Sequence, residues 1–417
     1  MKKILFYTLL SLSLNASDLK QMLNSLKDSE NIKALDLNLL AKNEAKDEVF
    51  LRYLPSLDLN LNAFNTSKDR LLIEPKNNLS ASFIINALLY DGKRSANIKL
   101  ADKNYQLQKI KTEKDKNEVA FNLIKLYYTY LTLEKNIEYQ EKNIDYLNAE
   151  LNRLNSLKNA GLKSFDELAI FTANVSLKKA QVLEYQTKKD EVLRMIHLLT
   201  NSTLIPSVDS KIQLLQDTNN SFDVAISDIQ SELALLNKEL KKANFYPSIY
   251  LQDNLTFANS KYDYSTFSPY DSIAKAKIKE KTAKNTILLG VKFNLFSFFA
   301  DKKALESAKV QSLAAKLKNN FDKKQNKTNI ENIKAQINTS KALIDANLER
   351  VKASELAFES IRQKYEAGLV SYVEYLNALE LNEAANAALT LSENDLEIKK
   401  ASLLNEIGVV LDERIVK

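Results

Sequence analysis

The chain has no cysteine, no tryptophan and a single histidine, and only five glycines and five prolines in 417 residues. Without cysteine there are no disulfides, no thiolate metal sites and no lipidated N-terminal cysteine. The lone histidine, His197, sits in the helical stretch Arg194-Met195-Ile196-His197-Leu198-Leu199 and reads as structural, because catalysis and zinc both need partners. No constellation of His, Cys, Ser and carboxylates stands out, so neither an enzyme nor a cofactor is expected. Few glycines and prolines argue against several compact, loop-rich domains and for long uninterrupted elements. Charge of one sign is also scarce: 59 Lys and Arg nearly balance 53 Asp and Glu. No basic patch is interleaved with aromatics, so nucleic acid is not an expected partner. After residue 16 there is no run of 18 apolar residues, hence no membrane-spanning helix is expected.

What is present starts with an export signal. Lys2-Lys3 precede the apolar run Ile4 to Leu14 and then Asn15-Ala16-Ser17, which marks residues 1–16 as a signal peptide. Any membrane the exported chain crosses must then be crossed by strands. The next signal is a repeat. Ala160-Gly161-Leu162-Lys163-Ser164-Phe165-Asp166-Glu167 returns as Ala367-Gly368-Leu369-Val370-Ser371-Tyr372-Val373-Glu374, at an offset of 207 residues. So long a period implies a duplicated unit, residues 17–206 and then 207–417. Glycine after one helix and serine before the next predict a tight helix-to-helix turn, made twice.

Each half also carries two segments of period two. Leu57, Leu59, Leu61 and Ala63 alternate with Ser56, Asp58, Asn60 and Asn62, predicting a strand over about 55–65. A second is predicted at about 78–90, with Leu79, Ala81, Phe83, Ile85 and Ala87 on one face. In the second half the strands are expected at about 247–258 and 286–296. There Gln252 and Asn254, then Lys292 and Asn294, oppose an apolar row that Asp253 interrupts. The connection at about 259–284 is longer than its counterpart and holds six lysines, read as a solvated loop.

The rest is helix, expected over about 93–159, 164–201, 300–366 and 371–411. The stretch before the first turn, about 68 residues, amounts to roughly 100 Å of helix. Along it Val119, Leu123, Leu126, Tyr130, Leu133 and Ile137 step four and three apart, a coiled-coil seam that continues through Gln140 to Leu154. The matching seam in the second half, from Ile330 to Ile361, has Ser340, Asn347 and Ser354 in place of apolar residues, predicting a wetter core or neighbour.

Strands of about nine to eleven residues with one apolar face have the length and pattern of membrane β-strands. Four cannot close a barrel, and an open edge in lipid leaves backbone groups unpaired. Three copies give twelve strands, with Asn60, Asn62, Gln252, Asn254, Lys292 and Asn294 facing a lumen wide enough for water. The expected fold is thus mainly α with a membrane β-barrel portion, built from duplicated helix-strand-strand-helix-helix halves.

In the order and spacing of these features, including Leu-Leu-Tyr-Asp-Gly at residues 88–92, the chain resembles the TolC family of outer-membrane efflux channels. The resemblance implies a homotrimer with a twelve-stranded barrel in outer-membrane lipid and a long coiled-coil helical tunnel in the periplasm. It implies docking to a periplasmic adaptor (membrane fusion) protein, itself joined to an inner-membrane transporter, through tips at Ala160-Gly161-Leu162 and Ala367-Gly368-Leu369. It also implies a periplasmic gate: Glu374 and Asn377 fall on the positions of an acidic ring. Tyr365 falls on the residue that holds the inner helix pair shut, and Glu167 on its acidic partner, while the expected basic residue at 370 is Val370. Drug efflux and type I protein secretion share this channel design, and the pump selects the cargo. The competing class is a soluble periplasmic coiled-coil scaffold with its strands in a small exposed sheet.

Overall fold

A computed structural model of the chain describes residues 16–66, 74–161, 165–207, 210–214 and 221–416. The expected signal peptide, apart from Ala16, and Leu162 lie outside the described residues. In chain order the elements are β1 (Ala16–Ser17), α1 (Leu19–Ser25), α2 (Glu30–Leu51), β2 (Ser56–Asn65), β3 (Asn77–Asp91), α3 (Arg94–Asn159) and α4 (Phe165–Thr200). There follow β4 (Ile205–Pro206), α5 (Phe222–Lys242), β5 (Ser248–Lys261), α6 (Asp271–Lys277), β6 (Lys281–Lys292), α7 (Ala300–Glu366) and α8 (Tyr372–Glu406). Among the described residues no helix is long and apolar enough to cross a membrane. The chain divides into two units, one of residues 1–38, 109–226 and 320–417 and the other of residues 39–108 and 227–319.

The first unit is helical. Its larger core gathers Leu19 and Met22 of α1, Leu123, Ile124, Tyr127 and Tyr128 of α3, Ile196 of α4 and Leu404 of α8, all fully buried. Each such side chain contributes about 1.5–3 kcal/mol by leaving water. The tyrosine hydroxyls keep partners at that depth: Tyr128 Oη donates to Ser210 O at 2.7 Å, and Tyr127 Oη lies 3.2 Å from Ser210 Oγ. A second core, toward the turns, joins Leu147 and Leu154 of α3, Phe171 and Val175 of α4, Phe358 and Tyr365 of α7, and Tyr375 and Leu379 of α8.

The polar seam positions of α7 find partners on α8. Ser340 Oγ donates to Asp395 at 3.1 Å, Asn347 Nδ2 to Ala388 O and Ser392 Oγ at 3.3 Å each, and Ser354 Oγ to Asn382 at 3.1 Å. The seven-residue step on α7 runs against the chain direction of α8, as antiparallel packing requires. These hydrogen bonds satisfy the groups that replace apolar residues there.

The second unit holds an antiparallel sheet in the order β2-β3-β5-β6. Its rows are set by the register: Asn60 opposes Ser82, Ser82 opposes Thr256, and Thr256 opposes Lys284. The fourth strand runs Lys281–Lys292, not 286–296. It begins early because β5 extends to Lys261 and offers Asn259 as a partner for Lys281. It ends early because β5 starts at Ser248, opposite Lys292, leaving nothing for Phe293 to Leu295 to pair with. The lysine-rich connection is accordingly shorter than 259–284 and contains α6, and Lys261, Lys281 and Lys284 belong to strands. Helix α8 also stops before 411: Gly408 takes φ +78° and donates to Asn405 O, while Val409 N donates to Leu404 O, a Schellman closure.

Candidate functional site

Gly161 and Gly368 adopt φ of +76° and +73°, a region that costs any other L-residue strain. At the second turn Gly368 N donates to Tyr365 O at 3.0 Å and Leu369 N to Lys364 O at 2.8 Å, again a Schellman closure. Ala160, Gly161, Ala367 and Gly368 are exposed, and Leu369 presents an apolar side chain that is 75% exposed. Just beyond, Ser371 caps α8. Glu374 N donates to Ser371 Oγ at 3.3 Å, and the Glu374 carboxylate accepts from Ser371 N at 2.8 Å and Ser371 Oγ at 3.0 Å, a complete capping box. The backbone bond from Ser371, and then its hydroxyl, hold the Glu374 carboxyl below its usual pKa. Glu374 and Asn377 are both exposed on this chain.

One turn of helix inward, α7 and α4 meet through a buried bond. Tyr365 Oη donates to Glu167 Oε1 at 2.5 Å, with the two residues only 2% and 7% exposed. Tyr365 stacks on Tyr375 at 5.0 Å and on Phe171 at 6.1 Å. Burial, and after it the bond to Glu167, push the Tyr365 phenol far above its usual range, so it remains a donor. Sequence reasoning missed the cation here. Arg153 of α3 lies 5.1 Å over the Tyr365 ring and pairs with the buried Glu150 at 2.6 Å. The three-residue spacing of Glu150 and Arg153 is visible as a helix pair, but nothing local places it over a ring more than 200 residues away. A second missed cluster centres on Glu383 of α8, which accepts from Gln140, from Asn143 at 3.0 Å and from Lys178.

In the other unit one face of the sheet is mainly polar, with Phe64, Ile84, Leu88, Tyr250 and Leu288 among its polar residues, and the other is mainly apolar. Asn60, Asn62, Gln252, Asn254 and Lys292 share one face with Ser80, Ser82, Thr256 and Thr286. Asn294 does not belong to that set, since it lies past the end of β6 and donates to Asp301 at 3.1 Å. The opposite face carries Leu57, Leu59, Leu61, Phe83, Leu251, Leu255, Leu289 and Val291, with Asp253 between Ile85 and Ile287. Leu61 and Leu57 are 70% and 68% exposed, and Val291 and Leu289 are 67% and 65% exposed.

Residues 214–409 match the family of outer membrane efflux proteins. They belong to that family. Among solved structures the chain is similar to CusC, at 13% identity over 95% of this chain and 94% of that one, with a TM-score of 0.80. It is similar to VceC of Vibrio cholerae, at 16% identity over 94% and 97%, with a TM-score of 0.78. It is also similar to the outer membrane channel CmeC of Campylobacter jejuni, at 15% identity over 94% and 85%, with a TM-score of 0.78. At these identities the structures show a shared fold. No curated protein matches the sequence. The match over residues 214–409, with the shared fold, places the chain in the outer membrane. Outer membrane efflux proteins are channels, not enzymes, and the free apolar face of the sheet suits a chain that meets lipid.

Proposed function

We propose that the protein is the outer-membrane channel of a tripartite efflux or type I secretion system, conducting cargo passively from a periplasmic adaptor and inner-membrane pump to the outside. The observation that carries this reading is the sheet β2-β3-β5-β6, mainly polar on one face, mainly apolar on the other, and ending in β2 and β6. In lipid each unpaired backbone group of such an edge costs several kcal/mol. Pairing β2 of one copy with β6 of the next removes both edges, and three copies bring twelve strands, enough for an aqueous lumen. In that homotrimer Asn60, Asn62, Gln252, Asn254 and Lys292 line the lumen, and the long helices continue it as a tunnel in the periplasm. The tips at Ala160-Gly161 and Ala367-Gly368-Leu369 dock the adaptor. Glu374 and Asn377 form the constriction, and Tyr365 with Glu167 holds the helix pairs closed behind it. A soluble periplasmic scaffold is not favoured, because it leaves the apolar sheet face in water. The test is the oligomeric mass of detergent-extracted protein, together with its conductance in a planar bilayer. A trimer that conducts supports the reading; a protein soluble without detergent and silent in the bilayer overturns it.

A further inference from the structure

The apolar face of the sheet does not run apolar to its end. Its rows carry Leu59, Phe83 and Leu255, then Leu61, Ala81 and Phe257, then Ala63 and Leu79. The last rows change character: Asn259 opposes Lys281, and Asn77 opposes Lys261. By strand periodicity Lys261 and Lys281 therefore point the same way as the apolar side chains, not toward the polar face. They are diagonal neighbours on adjacent strands, a relation that spans about 7–8 Å between Cα atoms. Lys76 adjoins them, its N–H donating to Lys261 O at 2.7 Å. All three are exposed, and among the described residues none makes an ion pair. Lysines of the helices are often neutralised by a neighbour, as Lys142 is by Glu138 and Lys188 by Glu184. Among the described residues the acids close in sequence pair with none of these lysines. Asp263 caps Ser265 at 3.3 Å, the Glu280 carboxylate accepts from Tyr264 at 3.2 Å, Glu74 has a partner, and Asp271 heads α6.

This end of the sheet is the one joined by the connections 66–76 and 262–280, whereas the other end leads into α3 and α7. With the helices in the periplasm, these lysines lie at the outer rim, level with the headgroups of the outer leaflet. The inference rests on that reading. We propose that Lys261 and Lys281 form a basic collar that binds the phosphate groups of an anionic glycolipid in the outer leaflet. The chemistry suits the position. A lysine stem can lie along the apolar belt while its ammonium reaches the headgroup plane, and an ammonium is a compact point charge for phosphate. The occupant is a lipid because the collar is continuous with the lipid-facing surface and has the complementary charge.

The experiment compares lipid retention by the detergent-extracted full-length protein, read by native mass spectrometry after incubation with lipid A, monophosphoryl lipid A or zwitterionic phospholipid. Wild type is expected to retain lipid A over the monophosphoryl form and both over the zwitterionic lipid. Each of Lys261→Gln and Lys281→Gln should weaken lipid A retention about fivefold, as expected of one lysine near an anionic surface. Lys284→Gln, on the polar face of the same strand, should leave it unchanged. Equal retention by wild type and the Lys261→Gln/Lys281→Gln variant, or displacement of lipid A by inorganic phosphate, overturns the collar. Loss of retention in Lys284→Gln instead overturns the assignment of the faces. Bilayer conductance of the same samples reports separately on the channel, so a conducting protein that ignores lipid A removes the collar alone.

Discussion

In the proposed channel Glu374 would use one carboxylate for two purposes, and its chemistry lets them be separated. Its hydrogen bonds to Ser371 cap α8, while its negative charge is what a cation-selective constriction needs. Glutamine satisfies a capping box as well as glutamate. Glu374→Gln should therefore leave the fold intact while weakening block by a trivalent cation added on the periplasmic side of a planar bilayer. Ser371→Ala should do the reverse, costing about 1 kcal/mol of helix stability and leaving the block in place. Unchanged block in Glu374→Gln would remove the charge from the constriction. The pH dependence has a definite sign. The pKa of Glu374 in the folded chain lies below its unfolded value. Its stabilisation is therefore present above the ordinary carboxylate pKa of about 4.3 and fades as pH falls through the lower folded value. Tyr365 poses a different question, since its partner is buried. Tyr365→Phe keeps the stack on Tyr375 but leaves Glu167 without that donor, an expected cost of about 1–3 kcal/mol. A lowered melting temperature together with larger or more frequent openings is the expected outcome. Lower stability with unaltered conductance would confine the bond to folding.

At the scale of elements, the turns and the strands carry the testable structure. At Gly161 and Gly368 no heavy atom of the described residues, their chain neighbours apart, lies within 4 Å of where a Cβ would go, so a substitution meets conformational strain before any clash. Gly368→Val should cost about 1–2 kcal/mol locally, leave the oligomer assembled and reduce export with the adaptor. Export at the wild-type rate would take the tips out of docking. On the strands, Leu59→Arg or Leu251→Arg should impair assembly by about 2–4 kcal/mol if these face lipid near the midplane. Asn60→Arg or Gln252→Arg should assemble and change ion selectivity. These elements differ in how much the sequence reveals. The β2 rows are legible because Leu57, Leu59, Leu61 and Ala63 alternate with polar residues. The start of β6 is not, because Lys281 to Asn285 are polar on both faces apart from Ala283 and only pairing with β5 defines them. Asn294 continued an apparent alternation past the point where a partner strand exists. The Tyr365–Glu167 bond was legible only through the family resemblance, since 198 residues separate the two in sequence. The placement of Arg153 over the Tyr365 ring and the partners of Glu383 were not legible, because they come from helices brought together by packing alone.

At the scale of the whole molecule the question is how the sheet is completed, and the cysteine-free chain makes it accessible. Strands β2 and β6 are the two ends of the sheet, so one copy offers a different edge at each side. Contact between unlike edges is heterologous: it either closes into a ring or continues without limit. A bilayer favours closure, because any remaining edge would face lipid. One cysteine placed at Asn60 of β2 and a second at Lys284, Thr286 or Leu288 of β6 samples the possible registers with no native thiol to interfere. A disulfide needs Cα atoms about 4.4–6.8 Å apart, so only a matching register should link. In that register oxidation of the membrane-extracted protein should give covalent dimers and then trimers on a non-reducing gel, with nothing larger. Each single-cysteine variant should stay monomeric on the same gel. A ladder continuing past three would mean that the unlike edges do not close. A conducting protein that links in no register would mean that β2 and β6 of neighbouring copies do not meet, and the barrel would have to be completed by some other pairing.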